Sequence, residues 1–202
     1  MIDKTDDGYG QDDWQKHYDD NDLAWDLGEV SPPLLRLWEG KVFQAGRLMI
    51  PGCGQGHEVL FFAERGFQVT GVDYTSGAVG LLRQSLKNKN LDARVLCQDF
   101  FELDESHNAY YDTLLEQTFF CAIHPDQREA YVDTVSRILK PGGLLAGLFY
   151  ATGEEGGPPF NTTEADIRQH FGEEFDIERL EKCTHSIERR QDKEWLTVMR
   201  KR

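Results

Sequence analysis

The stretch of residues 47–62 constrains the fold more than any other part of the chain. An apolar strand at residues 47–51 runs into a glycine-rich turn at 52–56, and an amphipathic helix follows at 58–65. Glycine lets the backbone turn sharply and lets a ligand approach the main chain closely. The helix start adds unpaired N–H groups and the positive end of a dipole. Together these features predict a nucleotide-like binding corner in an α/β sheet.

Strands and helices alternate along most of the chain. After the first strand, the predicted strands are residues 67–73, 93–98, 111–117 and 144–150, and the predicted helices are residues 58–65, 75–88 and 126–139. This alternation predicts a doubly wound, Rossmann-like sheet, mostly parallel, with helices on both faces. Two later β-like runs, 175–186 and 194–200, predict a closing antiparallel hairpin. A length of 202 residues without a linker predicts a single domain.

Composition excludes several classes of partner. A net charge of -14 disfavours nucleic acid, whose phosphates require a basic face. The short basic run Arg189-Arg190 is predicted to be a solvated strand end. No apolar run approaches the roughly 20 residues of a membrane span, and the acidic N-terminus lacks the apolar core of a secretory signal. Four dispersed cysteines argue against a zinc site or a disulfide scaffold and favour a cytoplasmic location.

The N-terminal part divides into a polar segment and an aromatic arm. Residues 1–13 are acidic and are predicted to be mobile. Residues 14–45 contain Trp14, Tyr18 and Trp25, and the first two share one face of a helix because they are four positions apart. Two interpretations stay open at this point. The aromatics either attach the arm to the domain by simple packing, or they form a lid over a ligand.

In a doubly wound sheet the ligand binds beyond the carboxyl ends of the strands. Asp73 ends the second predicted strand, about 20 residues past the glycines, where a carboxylate is placed to bind ribose hydroxyls. A turn or helix-cap role is the alternative for Asp73. At the end of the third strand, Asp99 offers a carboxylate for an adenine amine and Phe100 an apolar surface for the ring. Gln117 ends the fourth strand at the same edge.

The glycine spacing separates this corner from other nucleotide sites. Gly52, Gly54 and Gly56 are followed by His57, so the third glycine is one place early for the dinucleotide pattern G-x-G-x-x-G. No P-loop Gly-Lys-Ser/Thr is present. A nicotinamide oxidoreductase and a nucleoside triphosphatase are therefore disfavoured.

The turn, taken with the acidic strand ends and Phe100, resembles the S-adenosylmethionine site of class I methyltransferases. The antiparallel hairpin is similar to that family's sheet. A narrower resemblance, to the thiopurine S-methyltransferase superfamily, extends from Trp14 to the C-terminus. The motifs that carry it are Trp14…Tyr18…Trp25-Asp26, Ile50-Pro51-Gly52-Cys53-Gly54, Phe119-Phe120-Cys121-Ala122-Ile123-His124-Pro125 and Gly157-Pro158-Pro159-Phe160. The Phe-Phe-Cys-Ala-Ile run is more similar to the plant-type halide/thiol methyltransferase branch.

The resemblance implies the cofactor S-adenosyl-L-methionine and a set of site residues. The expected cofactor contacts are Trp14, Tyr18, Trp25, Gly52, Gly54, Gly56, Asp73, Tyr74, Asp99, Phe100 and Gln117. The expected acceptor pocket comprises Trp25, Gln117, Phe119, Phe120, Pro159 and Phe160. Tyr18 replaces a tryptophan of the thiopurine branch. Gln117 replaces that branch's arginine and the halide/thiol branch's tyrosine, so the acceptor stays open.

The predicted function is methyl transfer to a small soft nucleophile: a thiol, hydrosulfide, a thiopurine, a halide, or a selenium or tellurium species. A thiol is already partly ionised near neutral pH, so a dedicated base is dispensable. Gln117 and His124 are possible helpers, and Cys121 is expected to be an apolar wall. O- or N-methylation on the same fold and a non-catalytic cofactor-binding module are the alternatives. We expect a monomer with a small-molecule acceptor and no metal, nucleic acid or membrane partner.

Overall fold

The computed structural model describes residues 4–202 of the chain. Within that range the strands are β1 (Arg47–Pro51), β2 (Gln68–Asp73), β3 (Arg94–Cys97), β4 (Tyr111–Gln117), β5 (Leu139–Tyr150), β6 (Phe175–Lys182) and β7 (Glu194–Lys201). The helices are α1 (Gln11–Asp19), α2 (Pro32–Glu39), α3 (His57–Ala63), α4 (Ser76–Lys89), α5 (Arg128–Ile138) and α6 (Glu164–Phe171). None of these helices combines the length and the apolar character that a membrane span needs.

The seven strands form one sheet in the order β3–β2–β1–β4–β5–β7–β6. Strand β7 runs antiparallel to both of its neighbours, whereas the pairs among β1 to β5 are parallel. The predicted doubly wound sheet with a C-terminal antiparallel hairpin is confirmed. Because β7 is reversed, its first residue, Glu194, pairs with Tyr150 at the carboxyl end of β5.

Both faces of the sheet are covered, as expected for a buried parallel sheet. Along β1 the side chains alternate: Leu48 and Ile50 join the core with residues of α2 and α3, while Met49 joins a second core with residues of α5 and α6. All three side chains are buried. The strand ends are therefore rigidly placed, and β1 delivers the glycine turn to the carboxyl edge of the sheet.

The start of β5 differs from the prediction. The strand begins at Leu139, directly after α5, and not at residue 144. Leu139 pairs with Tyr111 and the register then shifts, so that the next pair is Thr113 with Leu144. The intervening residues form an irregularity whose Lys140 ammonium binds the Asp112 carboxylate. The predicted turn at 140–143 is thus an interruption within the strand.

The predicted mobile segment 1–13 includes residues 1–3, which lie outside the described residues. From Lys4 onward the chain makes defined contacts. Lys4 pairs with Glu154 across 2.6 Å, and Thr5 exchanges backbone hydrogen bonds with Gly157. The last three residues of the segment, 11–13, belong to α1, which begins at Gln11. The mobility of the segment stays a prediction.

Helix α1 packs across the start of α4. The Gln15 side-chain oxygen accepts hydrogen bonds from the Gly77 N–H at 3.1 Å and from the Ser76 hydroxyl at 3.0 Å. Thr75 stands at the N-cap position of α4, but its hydroxyl donates to Asp73 and does not cap the helix. Gln15 therefore satisfies the helix start from outside and positions α1 beside the carboxyl edge of the sheet.

Candidate active site

A cavity of about 1200 Å³ lies at the carboxyl edge of the sheet, beneath the N-terminal aromatic arm. The predicted site residues that line it are Trp14, Tyr18, Trp25, Gly52, Asp73, Tyr74, Asp99, Phe100, Phe119 and Pro159. Residues from four strand ends and from the arm therefore meet at one place, as the rule for parallel sheets requires.

Gln117 is not among the residues that line this cavity. With Gly54 it lines a smaller adjacent cleft, which shares Trp25, Gly52 and Thr118 with the main cavity. The side-chain amide oxygen Oε1 of Gln117 is buried and has no hydrogen-bond partner among the described residues. Gln117 therefore lies next to the main cavity and not in its wall, and its contact with the cofactor or the acceptor stays a prediction.

Two predicted acceptor-pocket phenylalanines do not line the cavity either. Phe120 is completely buried and packs against Tyr131 and Phe149, since the chain turns after β4 and points this ring into the core. Phe160 is also buried, and its ring stacks edge-on against His124 at 5.3 Å. Both rings support the cavity from behind.

The remaining predicted residues divide between packing and support. Gly56 precedes α3 and lies against the Leu82 side chain, where a Cβ would clash. His124 Nε2 lies 3.1 Å from the Asp6 carbonyl oxygen, so this histidine contacts the N-terminal segment and not the cavity. Cys121 does line the cavity as a wall. Burial raises the pKa of its thiol to about 12, so it stays protonated.

The glycine turn is held by Asp73. One carboxylate oxygen accepts the Gly54 N–H at 3.0 Å, and the other accepts the N–H and hydroxyl of Thr75 at 2.9 and 2.7 Å. Burial raises the pKa of Asp73, and the hydrogen bonds from Thr75 and Gly54, which lower it, offset this effect only in part. The structure thus shows the turn role of Asp73, and the same carboxylate also faces the cavity.

The segment around Trp25 forms the roof of the cavity. The Trp25 ring lies 5.2 Å from Trp14, 5.4 Å from His17 and 5.9 Å from Tyr18, each in an edge-on arrangement. Such pairs contribute about 0.5–1.5 kcal/mol beyond their buried area. The four rings pack into one cluster in this roof, and the cluster includes His17, which the sequence patterns did not single out.

Two arginines attach this roof to the sheet. Arg189 donates to the carbonyl oxygens of Ala24 at 2.7 Å and Asp26 at 2.8 Å, and Arg190 donates to that of Trp25 at 2.6 Å. Both side chains line the cavity. The prediction that Arg189-Arg190 is a solvated strand end is therefore wrong for Arg190, which is buried, whereas Arg189 is exposed as predicted. A usable signal was present, because an antiparallel last strand starts at the carboxyl edge.

Arg190 is only 6% exposed. Its Nη1 lies 3.2 Å from a carboxylate oxygen of Glu194, which is 1% exposed. The other Glu194 carboxylate oxygen has no hydrogen-bond partner within residues 4–202. A buried cation thus stands beside the cavity with one carboxylate as its counter-ion.

Glu116 at the end of β4 is a supporting residue whose specific role the sequence patterns did not show. One oxygen accepts the N–H groups of Phe119 and Phe120 at 2.8 and 2.9 Å, and the other accepts the Tyr131 hydroxyl at 2.5 Å. Between them Thr118 has a φ of 59°, an uncommon conformation for a β-branched residue. Glu116 therefore holds the strained turn that brings Phe119 to the cavity.

Stability should fall with rising pH because of Glu116. Burial raises its pKa from 4.5 to about 7, against three hydrogen bonds that lower it. Its contribution is fully present below pH 4.5 and is lost as pH rises through about 7. Between pH 4.5 and about 7, the unfolding free energy of the wild type, measured with urea, should fall by about 2–3 kcal/mol relative to that of a Glu116→Gln variant. Glu129 is exposed, so a Glu129→Gln variant should keep the wild-type dependence of unfolding free energy on pH. Parallel curves of unfolding free energy against pH for the wild type and Glu116→Gln would contradict the expectation.

The chemistry of the cavity fits S-adenosylmethionine. Asp73 and Asp99 offer carboxylates for hydroxyl and amine groups, and Phe100 offers an apolar surface. The aromatic roof suits a sulfonium cation, because ring faces attract positive charge. At Gly52 a Cβ would lie 2.3 Å from the Phe119 ring, so the absence of a side chain lets this ring lie against the turn.

Comparison with solved structures agrees with this class of fold. A methyltransferase from Burkholderia thailandensis, 1,6-didemethyltoxoflavin-N1-methyltransferase with S-adenosylhomocysteine bound, is 18% identical, with a TM-score of 0.78 over 95% of this chain and 86% of that one. A TehB-like protein from Corynebacterium glutamicum is 16% identical, with a TM-score of 0.70 over 95% and 100%. The fold is that of the class I S-adenosylmethionine-dependent methyltransferases.

Comparison with protein families and with curated relatives assigns the chain to one family within this class. The model of the thiopurine S-methyltransferase family matches residues 9–201, so the chain belongs to this family and is an S-methyltransferase. Thiocyanate methyltransferase 1 of Brassica oleracea is 31% identical over 91% of this chain and 82% of its own length. Thiopurine S-methyltransferase of Pseudomonas paraeruginosa is 30% identical over 84% and 85%. The predicted superfamily, with its plant thiol methyltransferase branch, is confirmed.

Proposed function

We propose that the chain transfers methyl to a small, anionic sulfur nucleophile bound beside Arg190. The buried guanidinium of Arg190 carries this proposal. Arg190 precedes β7, which β1, β4 and β5 separate from β2 and β3, the strands that lead to Asp73 and Asp99. The cavity therefore has an acidic end and a basic end. A cationic end favours an acceptor that arrives or reacts as an anion.

The acidic end is proposed to hold the cofactor. Asp73 has acceptor capacity left for ribose hydroxyls, since a carboxylate offers about four lone-pair sites. Asp99 uses one oxygen on the Phe101 N–H at 2.9 Å and is proposed to bind the adenine amine with the other. Tyr74, Phe100 and the backbone of the glycine turn complete this part, under the roof of Trp14, Tyr18 and Trp25. When bound, S-adenosylmethionine supplies an electrophilic methyl group.

The basic end is proposed to hold the acceptor. This end is lined by Arg190, Tyr150 and Cys121. Burial has the largest effect on the pKa of the Cys121 thiol and raises it, whereas the positive charge of Arg190 lowers it. The same charge would lower the pKa of a thiol bound nearby. Phe119 and Pro159 make the surroundings apolar, which excludes water from the nucleophile.

The alternative of O- or N-methylation has less support. Such acceptors need a base, and no histidine of the described chain lines the main cavity. His124 contacts the N-terminal segment and His57 lines only the smaller cleft. A soft anion needs alignment and desolvation more than proton removal.

The acceptor range is narrowed by chemistry and by the relatives. The Brassica oleracea relative is named for thiocyanate and the Pseudomonas paraeruginosa relative for thiopurines. We propose that this chain accepts thiocyanate, hydrosulfide or small thiols, with thiopurines, halides and selenium or tellurium anions as weaker candidates. Gln117, in its separate cleft, contributes no charge to this choice.

The test is a methyl-transfer assay with labelled S-adenosylmethionine and matched acceptors. Thiocyanate, hydrosulfide, a small aliphatic thiol, a thiopurine and iodide would be compared with a phenol and a primary amine. We expect product from the sulfur anions, inhibition by S-adenosylhomocysteine, and none from the phenol or amine. Methylation of the phenol or amine without any sulfur product would overturn the proposal.

We also propose a single domain that acts as a cytoplasmic monomer, with residues 14–45 as its arm over the cofactor. The four cysteines are all free, which suits a reducing compartment. Among the described residues, Leu81 is the one exposed large hydrophobic side chain, at 43%. A lasting interface normally requires a larger apolar patch.

A further inference from the structure

The cavity roof is attached to the protein a second time, on the side away from the arginines. Asp26 directly follows Trp25, and His57 Nε2 lies 2.9 and 3.2 Å from its two carboxylate oxygens. The Gln55 side chain donates to the same carboxylate at 2.9 Å. Gln55 belongs to the glycine turn and His57 begins α3. The roof and the cofactor-binding turn are thus joined through one carboxylate.

The two attachments of the roof differ in their response to pH. Arg189 and Arg190 hold the backbone of residues 24–26 and remain charged at every pH of interest. The ordinary pKa of a histidine, about 6.5, lies close to neutrality. The hydrogen bond to Asp26 raises the pKa of His57, burial opposes this, and the charges of Asp26, Glu58 and Glu29 add to it.

The charged groups around the pair come from each element packed on it. Asp26 and Glu29 belong to the arm, Glu58 to α3, the Tyr18 hydroxyl to α1, and Arg189 to the segment before β7. Glu58 is half-buried and accepts the Ser31 N–H, and loss of hydration raises the pKa of its carboxyl. Burial also opposes ionisation of Asp26, but the bonds from His57 and the Gly28 N–H outweigh it and lower its pKa.

We propose that Asp26 and His57 form a latch that positions Trp25 over the cofactor and loosens when His57 loses its proton. A charge-assisted hydrogen bond is roughly twice as strong as a neutral one. The neutral imidazole can still donate one hydrogen bond, so the latch weakens without vanishing. Both residues are positioning residues, because they act through Trp25. The inference rests on the proposed placement of the cofactor beneath Trp25.

The test is calorimetric binding of S-adenosylhomocysteine from about pH 6 to about pH 9, which brackets the histidine range. We expect the wild-type Kd to rise about tenfold across this range, a change of about 1.4 kcal/mol. His57→Gln should bind with the weaker, high-pH Kd throughout. Asp26→Asn should behave in the same way, which covers the case in which one variant folds poorly.

The matched control is His185→Gln, since His185 is exposed and its hydrogen bond is with the neighbouring Thr184. It should follow the wild-type curve. Titration of the ligand's own amino group affects all variants equally, so only the difference between curves reports His57. At saturating cofactor, His57→Gln should retain kcat and show a raised KM for S-adenosylmethionine.

Two outcomes would overturn the latch. One is a His57→Gln variant that retains the wild-type pH dependence, and the other is a wild type whose affinity does not change with pH. Failure of the proposed cofactor placement looks different. In that case Trp25→Ala would bind S-adenosylhomocysteine as tightly as the wild type, whatever the pH.

Discussion

Replacing Arg190 with methionine is expected to lower the unfolding free energy by about 3–5 kcal/mol, because it leaves the Glu194 carboxylate buried without its counter-ion. Both side chains are almost completely buried, so solvent screens the pair little. The substitution also removes the donor to the Trp25 carbonyl oxygen and the positive charge at the acceptor end. We expect kcat/KM for a sulfur acceptor to fall at least about 100-fold, or about 2.7 kcal/mol. Urea unfolding and steady-state kinetics measure the two effects.

A double variant separates the structural effect from the catalytic one. In Arg190→Met/Glu194→Leu both charges are replaced by apolar groups, an exchange that is often neutral or stabilising. Stability should return to within about 1–2 kcal/mol of the wild type, while kcat/KM stays low. A double variant with wild-type kcat/KM would show that Arg190 serves only to balance Glu194.

The role of Arg190 could not be predicted from sequence patterns. The run Arg189-Arg190 resembles any short basic surface segment, since its identity says nothing about the carbonyl groups it will meet. Those carbonyls belong to residues 24–26, some 165 positions away in the chain. The predicted antiparallel hairpin already placed the start of β7 at the carboxyl edge. The missing step was the fold of the aromatic arm, which depends on tertiary packing.

The strand ends were more predictable than the turn after β4. Asp73 and Asp99 follow regular strands, and the alternation of strand and helix is enough to bring them to one edge. The turn at residues 118–121 depends on a buried carboxylate, Glu116, that accepts two backbone N–H groups. Periodicity shows Glu116 only as a strand residue. The turn directs Phe120 into the core and Gln117 to another cleft, and the apolar pattern of the sequence does not predict either position.

Gly52→Ala is expected to weaken S-adenosylhomocysteine binding at least about 100-fold, or about 2.7 kcal/mol. Gly52 has a φ of 54°, and a Cβ there would lie 2.3 Å from the Phe119 ring. The ring cannot withdraw, because Glu116 holds the Phe119 backbone and the rings of Phe100 and Tyr131 lie 5.6 and 5.9 Å away. It has to move into the cavity that the cofactor needs.

The control is Gly66→Ala, at the end of the helical turn after α3. Gly66 has a similar φ of 81°, but a Cβ there meets nothing within 4 Å. Left-handed backbone costs an L-residue about 1–2 kcal/mol, so both variants should lose that stability while only Gly52→Ala loses binding. Trimming the ring in Gly52→Ala/Phe119→Leu should restore part of the affinity. If Gly52→Ala binds within about threefold of the wild type, or under 1 kcal/mol, the glycine turn does not adjoin the cofactor in the way proposed here.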